Sequence, residues 1–259
     1  MTHMNRFRSV AVLLCAAALA SCGEDAAQDI TGPVASSRIK FFNFGVNAPG
    51  VNFYANDTKM TAITSATGAE STTGTVYGGV GAGGFYSAID AGQYTVSGKI
   101  AATADKDLAI SKITTTIESG KFYSFFMSGF YDATAKNVEG FVVEDVFPAA
   151  IDFASAQVRF VNAISNSSPM TLYAKNTTTT TEVAIGSTVA YKSGGVFTSV
   201  LNGVYDLSTR TAGSSTSIIT RTAVSFVAGR VYTIGARGDI TVVSTTATNR
   251  PFLDNTMNR

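Results

Sequence analysis

Apolar and polar positions alternate along most of this chain. In Tyr94-Thr95-Val96-Ser97-Gly98-Lys99 every second residue is apolar or small, the period of two that sets one face of a strand on a core. Ile110 to Ile117 and Ser217 to Val224 are rich in β-branched residues, which suit a pleated, half-buried surface. Glycine and asparagine punctuate at short intervals (Asn47, Gly50, Asn56, Gly92, Gly120, Asn202, Gly203, Gly229), and no stretch beyond the leader carries a 3.6-residue apolar stripe. Short strands at this spacing predict sandwiches of about seven strands. One segment breaks the alternation. Phe122, Ser124 and Phe126 share one face and Tyr123, Phe125 and Met127 the other, which predicts a central strand covered on both sides. Were one face open to solvent, it would be the first surface to examine for a partner.

The pattern occurs twice. Ile39-Lys40-Phe41-Phe42-Asn43 matches Val158-Arg159-Phe160-Val161-Asn162, and Phe53-Tyr54-Ala55 matches Leu172-Tyr173-Ala174 at the same offset. Gly84 to Ile89 matches Gly195 to Val200, Gly92-Gln93-Tyr94 matches Gly203-Val204-Tyr205, and Gly120 to Ser124 matches Gly229 to Thr233. Collinear blocks of matching chemistry indicate duplication. The expected fold is all-β: two tandem Ig-like or transthyretin-like antiparallel β-sandwiches, at 38–148 and 156–246, followed by a C-terminal tail at 247–259. Glycine just before each tyrosine-bearing strand supplies a turn with positive φ. Tyr94, Tyr123, Tyr205 and Tyr232 are expected to bury their rings and send hydroxyls to the backbone at the sheet rim.

The first residues follow a different rule. Arg6 and Arg8 precede an apolar run from Ser9 to Ala20, and Leu19-Ala20-Ser21-Cys22 closes it. Twelve residues are too few for a spanning helix, which needs roughly 20. The order of charge, apolar core and small residues before cysteine is that of a bacterial lipoprotein signal. Residues 1–21 are therefore expected to be a signal peptide, Cys22 the lipid attachment site, and 22–37 a flexible tether. Gly23 after the cysteine favours the outer membrane.

Charge and composition then narrow the chemistry. The chain carries a formal charge of +1; without residues 1–21, which hold two arginines and no acid, it becomes 1 − 2 = −1. With no basic cluster there is no footprint for nucleic acid. The only histidine is His3, and the only cysteines are Cys15 and Cys22. A chain starting at Cys22 would have neither imidazole nor free thiol, which excludes Ser-His-Asp and Cys-His catalysis and the usual zinc sites.

The repeated blocks resemble the bacterial family known as domain of unknown function 4397. The matching features are Val158 to Asn162, the Leu172-Tyr173 strand, the Gly-x-Tyr strand at Gly203 to Tyr205 and the Gly-x-x-Tyr-Thr strand at Gly229 to Thr233. The first unit departs at Phe44 to Asn47 and in a Gly/Ser/Thr insertion over about Ser65 to Gly84. The resemblance implies exported, often lipid-anchored sandwich repeats. It implies no activity, catalytic residue or cofactor.

Carboxylates are the remaining acid–base groups. Asp105 and Asp107 flank Lys106, and Glu144-Asp145 ends the first unit; all four are expected to be solvated loop acids. Asp105 with Asp107, or Asp132 with Glu139, could offer oxygens to calcium, but the EF-hand pattern is absent and Lys106 opposes a cation. Gly78 to Gly84 lacks the helix and lysine of a phosphate loop and reads as a flexible loop. Asn176 to Thr181 reads as a polar hairpin. The expected function is that of a non-enzymatic, lipid-anchored envelope protein that binds a protein or glycan through its loops. A structural or assembly role in the envelope is the alternative, and a carboxylate-dependent hydrolase the third reading.

Overall fold

In a computed structural model, which describes residues 36–64 and 67–259, each repeat contributes nine strands in the same order. The first repeat runs through β1 (Ser37–Val46), β2 (Val51–Ala55), β3 (Thr58–Lys59), β4 (Gly79–Val80), β5 (Ser87–Ile89), β6 (Gly92–Ile100), β7 (Ala109–Ile117), β8 (Phe122–Asp132) and β9 (Asn137–Glu144). The second runs through β10 (Ser155–Asn162), β11 (Met170–Asn176), β12 (Glu182–Val189), β13 (Ser193–Gly194), β14 (Thr198–Leu201), β15 (Gly203–Thr211), β16 (Ile219–Phe226), β17 (Val231–Arg237) and β18 (Phe252–Met257). One sheet of each repeat has the order β3-β2-β6-β7 or β12-β11-β15-β16. The other has β4-β1-β8-β9 or β13-β10-β17-β18, with β5 on β1 and β14 on β10.

The architecture is the expected pair of β-sandwiches, with five differences in detail. The strand count exceeds seven partly because each β1-type strand faces an edge strand broken in two, β4 and β5 or β13 and β14. The glycine-rich stretch is therefore no free loop: Gly79 and Val80 pair with Asn43 and Phe42 before the chain turns at Gly81–Gly84. The pairing is antiparallel except between β1 and β8 and between β10 and β17, where the sheet joins distant segments that run the same way. Residues 247–259 are no tail, because β18 pairs with β17 from Arg237 to Tyr232 and buries Leu253 in the core. Alternation over six residues is too short to mark an edge strand unless its partner is known. Ser36 and Ser37, assigned to the tether, already belong to the fold: Ser37 opens β1, and Ser36 Oγ accepts from the Gly120 amide. Cys22 and the rest of the tether lie outside the described residues.

Each sandwich fills its core from matching positions. Ile39, Phe41, Val51, Phe53, Val96, Ile117, Phe125 and Met127 pack in the first repeat, and Val158, Phe160, Met170, Leu172, Leu207, Phe226, Ile234 and Ala236 in the second. Tyr123 Oη accepts from the Glu118 amide at 3.1 Å, and Tyr232 Oη from the Val227 amide at 3.2 Å. Tyr205 Oη donates to the Leu201 carbonyl, and Tyr94 packs against the core. The turns before Tyr123 and Tyr232 contain Gly120 and Gly229, with φ of 78° and 75°. Asn43, within β1, and Asn162, at the end of β10, are buried, and each ties down the chain that follows its strand.

The described residues pack as one compact unit. The outward faces of β1, β8 and β9 meet the outward face of β10, so the two sandwiches share a third apolar cluster. It holds Phe42, Phe44, Phe126, Phe141, Val161 and Ala163. This is why both faces of β8 are apolar: one lies in the first core and the other in the seam. Bulk in one repeat meets absence of bulk in the other. A Cβ on Gly235 would stand 2.7 Å from the Phe44 ring, and one on Gly194 2.9 Å from Val143.

Candidate functional site

Beside the seam's apolar cluster lies a polar one, built by the duplication. Lys40 and Arg159 are equivalent residues of β1 and β10, each almost fully buried. Each lies over the equivalent aromatic ring of its own repeat: Lys40 Nζ is 4.4 Å from the Tyr86 centroid, and Arg159 Cζ is 4.9 Å from that of Phe197. Each also reaches across the seam. Lys40 Nζ donates to the Met257 carbonyl at 3.0 Å, and Arg159 Nη1 to the Glu144 carbonyl at 3.1 Å. Glu144 pairs with Tyr123 and Met257 with Tyr232, so these two carbonyls are themselves equivalent and the contacts are reciprocal.

The symmetry fails at the next residue, where the first repeat has Asp145 and the second Asn258. Asp145 Oδ1 is ion-paired with Arg159 Nη2, with side-chain exposures of 0% and 2%. Its Oδ2 accepts from Tyr86 Oη and Ser124 Oγ. Asn258 donates to Thr233 Oγ1, while its buried Oδ1 has no partner. Arg159 therefore has a carboxylate and Lys40 has none at contact distance. Burial dominates at Lys40 and lowers its pKa from 10.5 to about 8, against the raising effect of Asp145 and with the lowering effect of Arg159. Burial, and next the Asp145 charge, raise the Tyr86 hydroxyl above its usual range, so it stays a donor. Asp145 corrects the expectation of a solvated acid. Asp145 extends β9, its amide donating to the Phe122 carbonyl at 2.7 Å, and its carboxylate enters the seam, where a cation of the second repeat neutralises it.

An open groove of about 690 Å³ runs along this cluster. One wall is the turn between β4 and β5, with Gly83, Gly84, Phe85 and Tyr86; the other is Asn255 to Arg259, with Arg230 nearby. Phe85 is 75% exposed. The buried Oδ1 atoms of Asn255 and Asn258 lack partners, and no side-chain carboxylate lines the groove. Arginine, amide and aromatic groups together can bind an anionic or hydroxyl-rich ligand through charge-assisted hydrogen bonds and ring stacking. Alternation does not point here, because it would place Lys40 and Arg159 on the solvent side of their strands. The matched Lys/Arg in the duplicated blocks was the available signal.

The other acids are dispersed. Asp105 pairs with Lys136 at 2.7 Å, and Asp107 accepts from Tyr54 Oη at 3.1 Å. Asp132 accepts from the Thr134 and Ala135 amides of a turn. Glu139 accepts from Tyr191 Oη at 2.6 Å and pairs with Lys192; the Tyr191 hydrogen bond is the main cause of its lowered pKa. Among the described residues no three acidic, histidine or cysteine side chains gather as a metal site. In the Asn176 to Thr181 hairpin, Asn176 Oδ1 accepts from the Thr178 and Thr179 amides. No helix among the described residues is long and apolar enough to cross a membrane.

No protein-family model matches this chain, and no curated protein matches it. Among solved structures, the Bacillus anthracis TIE protein matches with 13% identity and a TM-score of 0.24, over 77% of this chain and 33% of that one. The chain thus spans about a third of that protein's length.

Proposed function

We propose that this is a non-enzymatic, lipid-anchored protein of the bacterial cell envelope, held at Cys22 in the outer membrane, whose paired sandwiches bind a glycan or protein partner in the seam groove. The reading rests on the leader ending at Cys22 and on the resemblance of both repeats to the domain of unknown function 4397 family. The observation that carries the binding role is the groove itself, with exposed Phe85 on one wall and Arg230, Asn255, Asn258 and Arg259 on the other. Gly83 and Gly84 of that wall close the insertion by which the first repeat departs from the second, and ligand sites concentrate in such variable loops. Mutual burial of the apolar faces in the seam leaves less apolar surface for a purely assembly role.

Three experiments test this. Cys22→Ser should release the protein from the membrane fraction, and protease shaving of intact cells should show which side of the outer membrane the sandwiches occupy. Sedimentation of the intact protein with purified envelope polysaccharides should be lost by about tenfold or more in an Arg230→Ala, Arg259→Ala double variant, as removing charged hydrogen bonds would predict. Equal sedimentation of both proteins would reject the groove as the site.

A further inference from the structure

We propose that the end of the second repeat bearing Ile151, Phe153, Leu201 and Val227 docks onto the surface of a lipid bilayer. The inference rests on the anchor at Cys22 proposed above. Phe153 is 82% exposed and Leu201 70%, Val227 is more than half exposed, and Ile151 slightly less. They surround one point. A Cβ on Gly229 would stand 3.1 Å from the Phe153 ring and 4.0 Å from Ile151. The Gly229 amide donates to the Ser155 carbonyl, Ser155 pairs with Leu201, and the Arg230 amide donates to the Val227 carbonyl. Val146, also exposed, continues the patch toward the first repeat beside Gly120 and Arg259.

The covering surface follows from where the chain enters. Ser36, the first described residue, is held at this same end, with its Oγ 2.8 Å from Ser119 Oγ and 3.2 Å from the Gly120 amide. Residues 23–35 separate it from Cys22, and so few residues span at most about 50 Å even fully extended. A lipid at Cys22 thus keeps this end, rather than the far end, next to the membrane. Exposed aromatic and aliphatic tips are the groups that enter the headgroup–acyl boundary. Lys121 is tied to Glu118 and Glu144, and Arg230 and Arg259 stand near Asp152. Apolar insertion rather than attraction to anionic lipid is therefore the driving term.

The chain has no tryptophan, so a single indole reports without background. The full chain would be matured in a bacterial host, purified in detergent and reconstituted in phosphatidylcholine vesicles as Phe153→Trp and, separately, as Val243→Trp. Val243 follows β17 at the opposite end and is 95% exposed. Phe153→Trp should shift to the blue on reconstitution and be quenched by brominated acyl chains, while Val243→Trp should do neither. Identical emission from the two overturns the docking, as does a blue shift without bromine quenching, which would mean that protein covers the patch. The mass of the N-terminal peptide separates the premises: an unacylated Cys22 overturns the anchor and the docking together, whereas acylation without quenching overturns the docking alone.

Discussion

Lys40 and Arg159 occupy the same place in two copies of one unit and meet different partners. Arg159 has Asp145, whereas Lys40 has a backbone carbonyl and a ring. The consequence is a pH dependence of defined sign. Lys40 is charged in both the folded and unfolded chain below about pH 8 and neutral in both above 10.5, so its burial opposes folding most at neutral pH. Between these values the unfolded chain holds a proton that the native protein has shed, and stability rises with pH. Urea midpoints should therefore climb from pH 7.5 to 9.5 in the wild type. Lys40→Met should flatten that rise and be more stable at pH 7, by at most about 3 kcal/mol. Tyr232 gives a second test. Tyr232→Phe leaves the Val227 amide without its acceptor and should cost about 1 kcal/mol in chemical denaturation.

β18 and β8 show why an element's role differs from its pattern. β18 follows a long loop and has little alternation, yet it completes the sheet beside β17 and places Leu253 in the second core. Leu253→Ala should cost about 2–5 kcal/mol by thermal or urea unfolding, a loss that a substitution in a free tail would not produce. β17 faces the seam through Gly235, where the Phe44 ring leaves no room for a side chain. Gly235→Val should force the sandwiches apart at that point while leaving each core intact, and the increase in radius of gyration by small-angle scattering would report it.

The two repeats pack as one body because their largest apolar strand is shared. Phe126 stacks on Phe42 with centroids 4.3 Å apart and on Phe141 at 5.1 Å, all within the cluster that includes Val161 and Ala163 of the other repeat. Calorimetry of the wild type should show one transition. Phe126→Ala should lower its midpoint by the equivalent of about 3–5 kcal/mol, and Phe126→Asp should divide it into two as the repeats unfold separately. The reciprocal bonds of Lys40 and Arg159 across the seam fix the register of this contact, since a slip would bury both cations without acceptors.

What the sequence determined by itself was the local order: β throughout, duplicated, glycine turns before the tyrosine strands and a central strand apolar on both faces. Period, propensity and positive φ act within a few residues, so they can be read from the chain. Only the tertiary structure decided which strands pair in parallel, that residues 252–257 belong to the second sheet, that Asp145 leaves solvent for Arg159, and that a groove opens beside the seam. These depend on pairs more than ten residues apart, whose partners the period of two cannot name. A buried charge such as Lys40 or Arg159 is stable only once the opposite sheet has supplied its carbonyl, ring or carboxylate.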